Sequence, residues 1–285
     1  MKIEIKKAGK TRRPIKIGLS GASGSGKTYS ALMLASGLAE FEKICVIDTE
    51  RSAGLYSSLG DYSVLELTAP FSHISLLSAI SAVKDAGFQV CIIDSLSHFW
   101  SGTGGLLELA DELAQKKYRG NTFQAWNEIS PLWRKIQECI INTEMHFIVC
   151  MRAKSDYAIE TGGGKTIIKK VGLKEDVRDG FEFELDCSFN LTQEHLAYVS
   201  KDRTSMFSEA FLPTSEIGLM LAKWAETGQV DTKNDVSELR ARFISLLEET
   251  KGINDKYEAM NKSVYSLTPD RLTQGIEFLT KLKNN

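Results

Sequence analysis

The sequence predicts an α/β fold: helices layered on both faces of a mostly parallel central sheet, followed by a small helical module. Three observations carry this prediction. Short, almost wholly apolar runs such as Ile44-Cys45-Val46-Ile47-Asp48 and Val90-Cys91-Ile92-Ile93-Asp94 have the length and composition of strands buried on both faces. Stretches of helical period alternate with them, as a parallel sheet requires. A glycine-rich segment, Gly21-Ala22-Ser23-Gly24-Ser25-Gly26-Lys27-Thr28, joins the first strand-like run to the first helix.

In chain order, Met1–Arg13 alternates lysine with isoleucine and reads as an arm or edge strand. Pro14 begins the first core strand, Ile15–Leu19, and a helix follows from Tyr29 to Leu38. Phe41–Lys43 turns the chain into the strand Ile44–Asp48, and Val64–Leu67 is a third strand. From Ser72 to Ala86 the apolar residues Ile74, Leu77, Ile80 and Val83 keep a helical period, closed by Gly87. Val90–Asp94 is the fourth strand and Met145–Cys150 the fifth. Helices span Leu106–Lys117 and Gln124–Asn142, the second with an expected break at Pro131. Arg152–Lys174 reads as a flexible hairpin or loop. Phe183–Leu191 and His195–Val199 read as late strands, Phe211-Leu212-Pro213 closes the domain, and Glu216–Glu226 is its last helix. Residues 1–227 thus form the expected core and 228–234 a polar linker. Residues 235–285 form the helical module, with helices Val236–Thr250, Ile253–Ser263 and Asp270–Leu282. Thr268 is the candidate N-cap of the last and Pro269 suits its first position. The 285 residues suffice for such a core with an appendage.

Composition narrows the class. A net charge of -2 argues against a uniformly basic nucleic-acid coat while leaving room for a local basic patch. Cys45, Cys91, Cys139, Cys150 and Cys187 are widely spaced and sit mostly in apolar runs, as buried thiols of a reducing compartment do. No apolar run approaches the ~20 residues that span a bilayer, and no secretory h-region opens the chain, so no membrane role and a cytoplasmic location are expected. His73, His98, His146 and His195 lack metal-ligand spacing and read as structural or exposed.

Gly21–Thr28 fits the phosphate-loop pattern G-x-x-x-x-G-K-[ST] in its proper place, between a strand and a helix. Glycines admit a phosphate close to backbone N–H groups, and the helix N-terminus adds its unpaired donors. Lys27 then reaches the terminal phosphates and the Thr28 hydroxyl reaches Mg²⁺, so ATP with Mg²⁺ is the expected ligand. Tyr29 belongs to the same nucleotide-binding stretch. Asp94, at the end of an apolar strand, is placed to hold the metal. Hydrolysis also needs a carboxylate to orient water. Asp48 and Glu50 compete for this. Glu50 is preferred, because in a sheet where its strand neighbours the phosphate-loop strand it projects over the γ-phosphate. Asp48 is then structural or supports the metal.

These motifs together resemble the RecA-type recombinase ATPases: a phosphate loop, an Ile-Asp-Thr-Glu-Arg strand end, then Ile-Ile-Asp-Ser. The resemblance implies a three-layer RecA-like P-loop NTPase core, a catalytic glutamate at Glu50, and Tyr56 as an aromatic stacking on adenine. Lys201-Asp202-Arg203, after the strand His195–Val199, resembles the Lys-x-Arg element that reaches a neighbouring subunit's γ-phosphate, although Thr204 stands where a glycine is usual. Over residues 13–227, including Trp126–Lys135 and the run from Gly172 to Asp186, the chain is similar to phage-encoded RecA-like proteins of recombination gene sets. That implies a homo-oligomer, ring or filament, acting on single-stranded DNA beside a single-strand-binding or annealing protein. In such ATPases mobile loops follow the fourth and fifth strands and face the DNA. Here these are residues 100–122 and 152–174. The second carries Arg152, Lys154, Lys165, Lys169, Lys170 and Lys174 against Asp156 and Glu160. Such a loop can follow a phosphate backbone, with Trp100 or Tyr157 stacking on bases, or it can serve a subunit interface. A helicase-type or helicase-loading ATPase, a nucleotide-switched scaffold, and less readily a small-molecule kinase are the other readings open to the sequence.

Overall fold

The computed structural model describes residues 9–162, 165–227, 232–251, 260, 267 and 269–283. They fall into two compact units, Arg13–Glu226, and Thr227–Asn285 with Met1–Arg12. The larger unit contains eight strands: β1 (Lys16–Gly21), β2 (Ile44–Asp48), β3 (Ser63–Glu66), β4 (Val90–Asp94), β5 (His146–Gly162), β6 (Lys165–Glu175), β7 (Cys187–Leu191) and β8 (Ala197–Asp202). Its helices are α1 (Lys27–Leu38), α2 (His73–Asp85), α3 (Ser97–Ser101), α4 (Leu106–Lys117), α5 (Thr122–Asn142) and α6 (Ser215–Glu226). Strand order is β3-β2-β4-β5-β1-β7-β8, with β6 pairing only to β5. The pairs β7–β8 and β5–β6 are antiparallel and the others parallel.

Three layers follow from the pleat. On β4, Cys91 and Ile93 enter one apolar cluster with α2, α4 and α5, while Val90 and Ile92 enter the other with α1 and α6. Alternate side chains point to opposite faces, so a run apolar throughout must be covered on both. The α1–α6 contact is close enough to require glycine. A Cβ on Gly37 would lie 2.1 Å from Ser215 O, and one on Gly218 2.1 Å from Leu34 O. This packing fixes the helix that carries the phosphate loop at its head.

Several expectations are corrected. β2 does not neighbour β1, because β4 and β5 lie between them. α5 runs through Pro131 without a break. The proline sits on the exposed side, where water can satisfy the freed carbonyl, and Ala125, Ile129, Trp133 and Ile136 anchor both halves in the core. Phe183 is not in a strand: Gly180 at φ 87° leads into a 3-10 turn over Phe181–Phe183, and Phe183 is exposed. The following strand starts at Ala197, two residues later than expected, and extends to Asp202. Of the two readings of the segment from Arg152 to Lys174, hairpin or loop, the hairpin holds: pairing starts at Ala153 with Glu175 and has a bulge between Asp156 and Tyr157.

In the smaller unit α7 (Thr232–Glu249) and α8 (Pro269–Lys283) bury Phe243, Leu247, Leu272, Ile276 and Leu279 together. Apart from Met260, the expected helix Ile253–Ser263 lies outside the described residues, as do the Thr268 cap, residues 228–231 of the linker, and Ile3 and Ile5. Among the described residues no helix is long and apolar enough to cross a membrane.

Candidate nucleotide-binding and catalytic site

A cleft of about 840 Å³ opens where the parallel strands end, and most of the expected nucleotide-binding and catalytic residues meet there. Ser23, Gly24, Gly26, Lys27, Thr28, Tyr29, Glu50, Tyr56 and Asp94 all line it. The phosphate loop leaves β1 at Gly21. Gly24 and Gly26 take left-handed φ of 82° and 83°, conformations that only glycine adopts cheaply. The loop is wedged tightly, since a Cβ on Gly21 would fall 2.3 Å from Ser25 Oγ. Lys27 Nζ donates to the carbonyls of Gly21 (3.0 Å) and Ala22 (2.9 Å) and is nearly buried.

Thr28 and Asp94 come together as expected. The Thr28 hydroxyl donates to Asp94 Oδ2 at 2.5 Å. Burial pushes the Asp94 carboxyl up to about 6, against the opposing effect of the Thr28 hydrogen bond, and the nearby charges of Glu50 and Asp48 add to the rise. The peptide between Asp94 and Ser95 is cis.

Glu50 reaches the cleft by a route the sequence did not indicate. β2 pairs with β4 with Asp48 opposite Asp94, and Thr49 N donates to Asp94 O at 2.7 Å. Glu50 is therefore carried over the end of β4. Asp48 is structural: its carboxylate accepts from the N–H groups of Glu50 (2.8 Å) and Ala53 (2.9 Å), shaping the turn that aims Glu50. Glu50 Oε1 accepts from Arg152 Nε at 2.8 Å. Burial alone would raise the Glu50 carboxyl, but the Arg152 guanidinium outweighs it and holds the group below its ordinary value. Glu50 is thus ionised at neutral pH.

Tyr56 and Tyr29 stand edge to face in the cleft wall with centroids 5.9 Å apart. They offer an aromatic surface to a base.

The candidate DNA residues divide. Arg152 is not a loop residue but a cleft residue, paired with Glu50 at the root of the hairpin. Trp100 cannot stack on bases: it is 8% exposed and packs against Trp126 and Trp133, because α3 turns it into the core. Lys174 pairs with Asp179 at 2.7 Å. Lys154, Lys165, Lys169 and Lys170 take their places in the hairpin strands. Their side chains, like that of Tyr157, lie outside the described residues.

Lys201 and Arg203 sit at the other end of the sheet. Asp202 pairs with Cys187, which pairs with Ile17 near the start of β1. Lys201 Nζ donates to Phe183 O, and Arg203 donates to Asp186 Oδ1 at 3.4 Å and Phe183 O at 3.3 Å. Both cations are engaged within their own chain, Lys201 on β8 and Arg203 in the bend just after it.

Of the histidines read as structural or exposed, His98 is structural and His195 enters the cleft. His98 Nδ1 lies 2.7 Å from Thr49 Oγ1 and its ring stacks on Phe71, beneath the segment that carries Glu50. His195 lines the cleft itself. No spacing motif marks either, since each is defined by a contact with a distant segment.

These residues fit a magnesium nucleotide. The loop presents glycine N–H groups, Ser25 buries a hydroxyl that finds no partner among the described residues, and Thr28 and Asp94 supply one hydroxyl and one carboxylate. No cluster of three or more His, Cys, Asp or Glu that could hold a metal occurs among the described residues.

Fold and site together define a P-loop nucleoside-triphosphate-binding protein. A family profile described as an AAA domain matches residues 13–210, more than half of the chain. The chain belongs to that AAA-domain family and carries an AAA-type P-loop ATPase domain. No curated protein matches it. One similar solved structure is described as a prototypical ATPase from the type III secretion system of pathogenic bacteria. It shares 16% identity and a TM-score of 0.41, over 94% of this chain and 80% of that one. A likeness at that level carries no argument; the fold rests on strand order and site.

Proposed function

We propose that the protein hydrolyses ATP and that single-stranded DNA governs its turnover, in recombination or annealing of the phage type. The observation that carries the coupling is the Glu50–Arg152 pair. Arg152 is the last outward residue before the β5–β6 hairpin, and its side chain holds the carboxylate best placed to activate water. The hairpin is fastened to the site by backbone as well. Arg152 N donates to Ser97 Oγ at 2.9 Å and Asp176 N to Arg152 O at 2.7 Å. A strand of DNA drawn along the hairpin lysines would move its root, and with it the partner of Glu50.

In this reading Lys27 and the loop N–H groups hold the phosphates, and Thr28 with Asp94 holds the metal. Magnesium, when bound, neutralises charge on the phosphates. Glu50 orients the attacking water and takes its proton. Tyr56 and Tyr29 receive the base. A homo-oligomer, ring or filament, is part of the proposal, as is work beside a single-strand-binding or annealing protein.

Steady-state ATP hydrolysis with and without single-stranded DNA tests it. We expect strong stimulation, a loss of roughly 10²–10⁴-fold in turnover for Glu50→Gln, and a rate that no longer responds to DNA in Arg152→Ala. DNA that neither binds nor changes the rate would sink the recombination reading. It would leave the hairpin as a subunit or protein contact.

A further inference from the structure

The phosphate loop is gripped from outside by the turn between β7 and β8. β7 runs parallel to β1 with Leu191 paired to Gly21, so the chain leaving β7 passes directly over the loop leaving β1. The turn is well tied. Thr192 N donates to Leu196 O at 3.0 Å, His195 N to Thr192 O at 3.1 Å, and Leu196 N to Thr192 Oγ1 at 3.3 Å. His195 adopts a left-handed φ of 65°. From this turn Gln193 Nε2 donates to Ser23 O at 3.2 Å. His195 Nδ1 lies 3.1 Å from Ser25 O, and because a carbonyl only accepts, Nδ1 carries the proton. The imidazole also occupies the space beside Gly26, where a Cβ would come within 2.9 Å of Nδ1.

The two captured carbonyls are significant for what shares their peptide planes. A trans peptide points its C=O and N–H in opposite directions. Ser23 O belongs to the unit that carries the Gly24 N–H, and Ser25 O to the unit that carries the Gly26 N–H. Both units adjoin glycines with positive φ, where rotation of a peptide plane meets least resistance. Lys27 already occupies the carbonyls of Gly21 and Ala22.

We propose that Gln193 and His195 are positioning residues of the nucleotide site, holding the Ser23 and Ser25 carbonyls outward so that the Gly24 and Gly26 N–H groups stay directed at the phosphates. The latch rests on the nucleotide-binding reading of the phosphate loop and is independent of any role for DNA. It supplies pre-organisation: the loop does not have to be ordered at the expense of binding energy.

The test is equilibrium binding of a fluorescent, non-hydrolysable ATP analogue with Mg²⁺, joined to steady-state kinetics, on the full chain. His195→Ala is expected to weaken binding about tenfold, and Gln193→Ala by less, about threefold, because its amide is more exposed. The loss appears in Kd and KM, with kcat at saturation changed less than either. His195→Asn is the decisive variant. Asn places an amide nitrogen at the same distance from Cα as His Nδ1 and tolerates left-handed φ, so it should recover most of the affinity. Because Ala is strained at a left-handed φ, His195→Gly serves as the control that removes the imidazole without that strain, and it should bind as weakly as His195→Ala. Binding by His195→Ala as tight as in the unmodified chain, or no recovery in His195→Asn, overturns the latch. Affinity recovered in His195→Gly does so too, because backbone strain and not the lost hydrogen bond would then be the cause. If the unmodified chain fails to bind the analogue, the nucleotide reading itself fails.

Discussion

Asp94 and Asp186 are each 1% exposed, yet they stand at opposite ends of the central sheet in opposite circumstances. Asp186 is fully served by its own chain: its carboxylate accepts from Lys16 N at 3.0 Å and pairs with Arg13 and Arg203. Asp94 is met by the Thr28 hydroxyl and by no salt bridge among the described residues, with Glu50 and Asp48 adding like charge. A buried carboxylate neutralised in place is architecture. One met by a hydroxyl and like charges, with only Lys27 near it to offset them, is the kind of group the proposed metal site calls for.

The comparison can be broken most directly at Asp186. Asp186→Ala strands the buried Lys16 amide and takes the carboxylate from two half-exposed guanidinium groups, and should destabilise the protein by about 2–3 kcal/mol in urea unfolding. Nucleotide affinity of the folded fraction should be retained. A cost below about 1 kcal/mol would mean that the two aspartates do not differ as argued.

Asp94→Asn should have the opposite sign. The folded pKa of about 6 lies above the ordinary 3.8, so the native state carries no penalty at pH values below 3.8, where both states are protonated. The penalty builds as the pH rises from 3.8, where the unfolded carboxyl ionises, and is complete above about 6, where the buried one ionises as well. Two pKa units correspond to about 3 kcal/mol. Without metal or nucleotide, the variant should therefore gain stability over the native protein progressively between about pH 4 and pH 6 and keep that gain at higher pH, while losing magnesium-dependent hydrolysis. Thermal melts across that range check this. A variant equally unstable at every pH would show that Asp94 is structural like Asp186.

Arg203→Ala should give the smallest effect, about 0.5–1 kcal/mol, because the guanidinium is half-exposed and its bond to Asp186 is screened by water. Turnover should stay within about threefold. A loss of about 10³-fold in turnover with stability intact would instead assign Arg203 to a neighbouring subunit's phosphates.

The chemistry-bearing residues were legible where they are local. Gly21–Thr28 announces itself because strand, loop and helix are contiguous, and Asp94 because it ends a wholly apolar run. Glu50 was read correctly as a cleft residue through a mistaken neighbour: strand pairing is a long-range property, and apolar runs carry no label for their partners. Trp100 shows the same gap, since an aromatic before a glycine-rich loop looks available until Trp126 and Trp133 close over it.

The sequence by itself determined the alternation of buried strands and helices, and the loop whose glycines and lysine meet a triphosphate, because period and motif reside in consecutive residues. Only the tertiary structure decided that β4 and β5 separate the phosphate loop from the strand of Glu50. It alone brought Arg152 to that carboxylate, His195 to the Ser25 carbonyl, and Arg203 to Asp186. Those pairs span 102, 170 and 17 residues, and what joins them is sheet order, which is set by how whole faces pack.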